Sequence, residues 1–234
     1  MEIGVEPEHL SDHFGLATVN MLEQVYAEGV DRAVLLMRHS ARTFDRSIND
    51  LKNKLTDHGR NLCTQLGTAL PKDVHVRGYA SPAHRCVETA EKVIEAHGLN
   101  GGSVGRTRPA EAFGPFYALD QQKMWKGLSE APGLAEYVGE WFASQTPVDA
   151  LMPPEMAVKM ITRVMQAKLG TEMPGKSLDL CVTHDLTIFT VRHGVGLEPV
   201  DGPTVEFLDG LVMFEKDGRT WMRSHHGGEV EIPA

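Results

Sequence analysis

Three short stretches of this chain carry side chains suited to chemistry on an anion: Arg38-His39-Ser40-Ala41-Arg42, Ser81-Pro82-Ala83-His84-Arg85 and Thr183-His184-Asp185. Two of them follow apolar runs of strand type, and the third follows an alternating one. Arginine donates in a planar, bidentate fork that matches phosphate geometry. Three arginines gathered around two histidines repel one another unless an anion lies between them. The set therefore predicts a phosphoryl pocket. A neutral imidazole in such a pocket can attack phosphorus while guanidiniums neutralise the equatorial oxygens. The second imidazole can donate to another oxygen. A carboxylic acid must protonate the leaving alcohol, and Asp185 is placed for it. Such a donor works best below neutral pH unless burial raises its pKa. Three guanidiniums can do the charge work of a divalent ion, and the sequence shows no carboxylate cluster of two-metal type. Neither a metal nor another cofactor is expected.

The elements that must position these residues are legible around them. Val34-Leu35-Leu36-Met37 is too short for a helix and reads as a strand buried on both faces, the kind found in parallel sheets. Open α/β sheets bind ligands beyond the carboxyl ends of their strands, and right-handed crossovers bring those ends to one edge. A second strand is expected over 74–80 and the last core strand over 178–183. Helices are expected over 18–28, with Gly29 as stop, and from a cap at Thr56 or Asp57 through Leu62, Leu66 and Leu70 to Pro71. A third helix is expected with Ser81 as N-cap, Pro82 at its first position and Gly98 as stop. Arg85 then lies near a positive helix N-terminus, which suits an anion. A helix over 154–169 is expected to bury Met156, Met160 and Val164, with Ala157 and Ile161 as further candidates for the core face. A short edge strand is expected over 104–107. Closing strands are expected over 205–208, 211–214 and 220–223, with hairpin turns at Asp209-Gly210 and Asp217-Gly218. Arg192-His193-Gly194 repeats the Arg-His theme, but at a helix C-terminus, where those residue types are expected anyway.

Composition bounds the rest. Of 234 residues, 32 are acidic and 23 basic, for a net charge of −9, which argues against non-specific nucleic-acid binding. Three cysteines make no disulfide framework. The acidic start lacks the features of a secretory signal, and no apolar run is long enough to span a bilayer. A cytoplasmic protein free of membrane and nucleic acid is expected. The fold expected is one α/β domain over 1–234. It is a three-layer sandwich whose mostly parallel central sheet has helices on both faces. A cap-like helical insertion at about 109–154 covers the site and sets substrate choice. The partner expected is a phosphorylated small molecule or a phosphoprotein; the sequence is silent on oligomeric state. His9 and His13, four apart, read as a surface pair rather than metal ligands, and a metal-binding module built on them with His225 and His226 is the least expected reading.

The chain resembles the histidine phosphatase superfamily, whose members include acid phosphatases, phytases, phosphohistidine phosphatases and cofactor-dependent phosphoglycerate mutases. The resemblance rests on 36–42, on Leu55-Thr56-Asp57-His58-Gly59 with Gln65-Leu66-Gly67, on 81–85 with Glu88-Thr89-Ala90, and on 183–185. These stretches fall in the family's order between about 34 and 193. The resemblance implies that His39 is the residue phosphorylated, that Arg38, Arg42, Arg85 and His184 bind phosphate, and that Asp185 donates the proton. Ser40 stands where the family usually has glycine. The His-Asp pair and Arg42 resemble the acid phosphatase branch. The short length and the absent signal and disulfides resemble the intracellular branch, whose acid is a glutamate from the segment after the second strand. Glu111 is that alternative acid here. The expected function is phosphomonoester hydrolysis through a covalent phosphohistidine, without metal. The alternatives are a phosphoglycerate mutase-like phosphotransferase and a non-catalytic protein that binds phosphorylated ligands.

Overall fold

The computed structural model describes residues 15–45 and 47–233. The run that the sequence marks as two-faced forms β1 (Arg32–Arg38). Leu35 and Met37 enter one hydrophobic core, and Val34 and Leu36 enter the other. β2 (His75–Ala80), β3 (Val104–Pro109) and β4 (Ser177–Thr183) run parallel to it. β5 (Gly210–Lys216), β6 (Arg219–Ser224) and β7 (Glu229–Glu231) continue the sheet antiparallel. Among the described residues the sheet has seven strands in the order β3-β2-β4-β1-β5-β6-β7.

Helices cover both faces. α1 (Leu16–Ala27), α2 (Asp57–Ala69) and α3 (His84–Leu99) share the core that holds Leu35 and Met37. α4 (Gln121–Glu130), α5 (Leu134–Phe142), α6 (Pro154–Leu169) and α7 (Asp185–Gly194) share the core that holds Val34 and Leu36. The architecture is a three-layer α/β sandwich with a largely parallel centre. Between residues 109 and 154, Tyr117, Met124, Tyr137 and Trp141 join that second core rather than forming one of their own. No helix among the described residues is long and apolar enough to cross a membrane.

Two glycines explain how α2 is seated. A Cβ on Gly59 would lie 2.1 Å from the Ala41 carbonyl oxygen, and one on Gly67 would lie 2.2 Å from that of Val93. Any side chain at either place would push α2 off the loop after β1 or off α3. Thr56, not Asp57, caps α2 by accepting from the Gly59 N–H at 3.0 Å.

Several expectations are corrected. α3 begins at His84 with Ala83 at its cap, so Ser81 and Pro82 form the bend before it. Ser81 is free for other work because β2 ends one residue earlier. α3 continues through Gly98 to Leu99, and the chain reverses at Gly101, which adopts the left-handed φ of 93°. On α6 the buried row is Ala157, Ile161 and Met165, while Met156 and Met160 face solvent. The two adjacent i, i+4 rows are equally apolar in sequence, and the one containing small Ala157 lies against the core. Val205 to Leu208 is not a strand, and Asp209-Gly210 is not a hairpin turn. The Val205 carbonyl accepts from the Arg38 side chain, and that of Pro203, just before the segment, accepts from Arg192. Asp217-Gly218 does turn β5 into β6, with φ of 54° and 70°. β7 was not anticipated.

Candidate active site

The register of the sheet assembles the site. Arg38 lies opposite Thr183, and Ala80 lies opposite Val182, so β1, β4 and β2 end side by side. The His39 N–H donates to the Thr183 carbonyl at 3.0 Å, and the Ser81 N–H donates to that of Val182 at 2.9 Å. The pairing thus carries on just past each strand, and His39, His184 and Ser81 leave the sheet at one edge. The two imidazole rings stand edge to face with centroids 5.7 Å apart.

His39 is 3% exposed. Its Nδ1 lies 2.8 Å from the Ser40 carbonyl oxygen. A carbonyl can only accept, so Nδ1 carries the proton and Nε2 carries the lone pair. Burial, then the charges of Arg85 and Arg38, hold His39 well below the ordinary histidine range. The neutral form is therefore the resident one. Ser40, where glycine was the expected residue, anchors the loop: its N–H donates to Thr89 Oγ1 at 3.1 Å and its hydroxyl to the Gly59 carbonyl at 2.9 Å.

His184 has the opposite tautomer. Arg85 Nη2 approaches its Nδ1 at 3.2 Å, and arginine can only donate, so Nε2 holds the proton and gives it to Ser81 Oγ at 2.9 Å. Burial, then Arg85, push His184 down to about 3. Ser81 is a site residue that the sequence reading assigned to a helix cap. Its position before Pro-x-x-Arg is the only signal that could have found it.

The cations converge as expected. Arg38 donates from Nη1 to the Val205 carbonyl at 2.7 Å, pairs through Nη2 with Asp185 Oδ2 at 3.1 Å and lies 4.2 Å over the Phe207 ring. Phe207 also lies 6.0 Å from the His39 ring. Arg85, 4% exposed, and Arg42 both reach the carboxylate of Asp50, at 2.9 and 3.3 Å. Nε of Arg38 and of Arg85 is buried with no hydrogen-bond partner. Unsatisfied donors in a cationic pocket are what an incoming oxyanion would satisfy. Asp185 opens α7. Burial would raise its pKa, but Arg38, the Leu186 N–H at 2.7 Å and His184 outweigh it and hold the carboxyl below the usual range. Glu111 is exposed on the 3₁₀ turn Glu111–Phe113 and joins no described cation. Phe207, the Val205 carbonyl and Asp50 were not anticipated as site elements.

Among the described residues no group of three or more His, Cys, Asp or Glu side chains is arranged to hold a metal. His9 and His13 lie outside the described residues. His225 and His226 pair with Asp209 and Glu198 at 3.1 and 3.2 Å.

The family model described as histidine phosphatase superfamily (branch 1) matches residues 34–204. No curated protein matches the chain significantly. Among solved structures, a phosphoglycerate mutase from Bacillus anthracis is similar at 19% identity and a TM-score of 0.55, over 82% of this chain and 91% of that one. A phosphoserine phosphatase mutant from Entamoeba histolytica, in complex with phosphoserine, is similar at 12% identity and a TM-score of 0.54, over 86% and 95%. These likenesses are likenesses of fold.

Proposed function

The chain belongs to the histidine phosphatase superfamily, and from that premise we propose that it is a phosphomonoester hydrolase. In this reading it works through a covalent phosphohistidine at His39 and needs no metal ion. The observation that carries the reading is the His39 tautomer, which leaves a neutral Nε2 lone pair among Arg38, Arg85 and His184.

In the first step Nε2 attacks phosphorus and the ester P–O bond breaks. The leaving oxygen takes its proton from Asp185. Arg38, Arg42 and Arg85 hold the equatorial oxygens, and the Nδ1–H bond to Ser40 strengthens as the ring becomes cationic. In the second step Asp185 accepts a proton from water, the hydroxide attacks phosphorus and the N–P bond breaks. Inorganic phosphate leaves and neutral His39 is restored. Asp185 is preferred to Glu111 as the acid because it is tied to Arg38 at the pocket.

Hydrolysis is preferred to transfer because the Asp185 side chain is 37% exposed, so water reaches the reacting end of the pocket. A mutase must keep water from its phosphoenzyme. Substrate choice falls to the insertion at about 109–154, acting as a cap, and the substrate class is a phosphorylated small molecule or phosphoprotein. Free, buried Cys63, Cys86 and Cys181 support a reducing, cytoplasmic setting.

The test is hydrolysis of p-nitrophenyl phosphate with a chelator present. Wild-type turnover should persist and His39→Ala should show none. Turnover that the chelator abolishes, or that survives in the variant, contradicts the proposal.

A further inference from the structure

The phosphate pocket already holds an anion, and that anion is part of the chain. Asp50 Oδ2 lies 2.9 Å from Arg85 Nη2, and Oδ1 lies 3.3 Å from Arg42 Nη1. The Asp50 backbone carbonyl takes a further bond from Arg85 Nη1 at 2.9 Å. Two of the three guanidiniums assigned to phosphate are therefore engaged by one residue. The contact is built rather than casual. Asn53, 1% exposed, donates to Asp50 Oδ1 at 3.2 Å and accepts from the Asp45 N–H at 3.0 Å. Asn49 caps the short 3₁₀ turn Asp50–Lys52 by accepting from the Leu51 N–H. Arg42 is also stacked 4.7 Å over Phe44 of the same loop.

The carboxylate fills the pocket only in part, since Nε of Arg85 and of Arg38 stays without a partner. A carboxylate brings two oxygens and one charge. A phosphomonoester brings three terminal oxygens and two charges, so it can replace Asp50 and reach the orphaned donors as well.

We propose that Asp50 is a resident plug, and that a substrate phosphoryl group enters by displacing its carboxylate from Arg42 and Arg85 and releasing residues 49–53. This rests on the phosphate-pocket reading above. The plug scales the affinity of every anion by one common factor, the fraction of time the loop is released. It therefore sets a threshold: weakly held monoanions drop out, and a phosphomonoester dianion is still bound. Asp50 is thus an affinity-setting residue for the reaction, not a catalytic one.

The experiment is calorimetric titration of wild type and Asp50→Asn with inorganic phosphate, beside kinetics on p-nitrophenyl phosphate. Neutralising the plug should tighten phosphate binding about tenfold and lower KM by the same factor, with kcat little changed. A merely structural role for Asp50 would weaken binding instead. Hydrogen exchange on the wild type needs no variant: amides of 49–53 should exchange faster once phosphate is added. Equal or weaker phosphate binding by the variant, or unchanged exchange, overturns the plug alone. Failure of both proteins to bind phosphate overturns the pocket reading and the plug with it.

Discussion

Arg-His occurs at 38–39 and again at 192–193, and the two copies show how the presenting element decides what a dipeptide does. The first closes β1, so its side chains emerge at a sheet edge where three strands end side by side. His39 is buried there with a free ring nitrogen, and Arg38 keeps a donor without a partner. The second lies in the last turn of α7. Arg192 is 1% exposed, pairs with Glu198 at 3.1 Å and lies 4.1 Å over the Phe189 ring. His193 packs edge-on against Phe142 at 4.7 Å. Both arginines are paired within the fold, Arg38 with Asp185 and Arg192 with Glu198, and both keep buried nitrogens that make no hydrogen bond. The difference lies in the neighbours: Arg38 shares its strand end with His39, His184 and Arg85, whereas Arg192 meets a single carboxylate and an aromatic ring. The copies are also connected. Arg192 donates to the Pro203 carbonyl, at the start of the segment whose Val205 carbonyl and Phe207 ring hold Arg38. The second copy thus braces the segment that holds the first.

The largest expected contrast is between the two histidines. His39→Ala should reduce turnover to background, a loss of about a millionfold for a deleted nucleophile. His193→Ala should leave kcat within about threefold. Steady-state kinetics on the two variants decides it, and comparable losses would break the distinction. Asp185→Asn should slow alkyl phosphates by about 10²- to 10⁴-fold and good aryl leaving groups much less. Equal slowing of both would shift the acid to Glu111.

The pH profile sharpens the same point. Burial pulls Asp185 upward, but Arg38 and the Leu186 N–H win and hold it low, while burial and Arg85 hold His39 well below 6.5. The acid must carry a proton, and its protonated fraction grows as pH falls. The nucleophile must not, and it stays neutral until pH falls through its lowered value. Hydrolysis of poor leaving groups should therefore rise as pH drops below neutral, and fall only where the histidines charge. Asp185→Asn should abolish that rise; a rate that climbs with pH instead would contradict the assignment. Smallest in activity, but large in stability, is Arg192→Met. It removes the arginine from Glu198, 9% exposed, which keeps only Ser224 and His226, and should cost about 1.5–3 kcal/mol in denaturant unfolding. A stable, slow variant would make Arg192 part of the chemistry.

The candidate site residues were legible because strand ends are marked twice, by an apolar run and by an abrupt change to charge. Arg38, His39, Arg85, His184 and Asp185 all converge as their positions imply. What was hidden depends on contacts far apart in the chain. Ser81 reads as a helix cap locally and meets His184 only because β2 and β4 are neighbours. Phe207 looks like a strand residue, and the α6 face cannot be chosen between two apolar rows. Asp50 lies in a polar loop with no pattern at all; only the fold shows that it reaches Arg85.

The most direct test is to quench turnover in alkali, which preserves phosphohistidine, and to map the phosphoryl group by mass spectrometry and phosphorus NMR. The account predicts one phosphoryl group per chain, on Nε2 of His39. A phosphoryl group on His184, or none bound to protein while turnover proceeds, would contradict it.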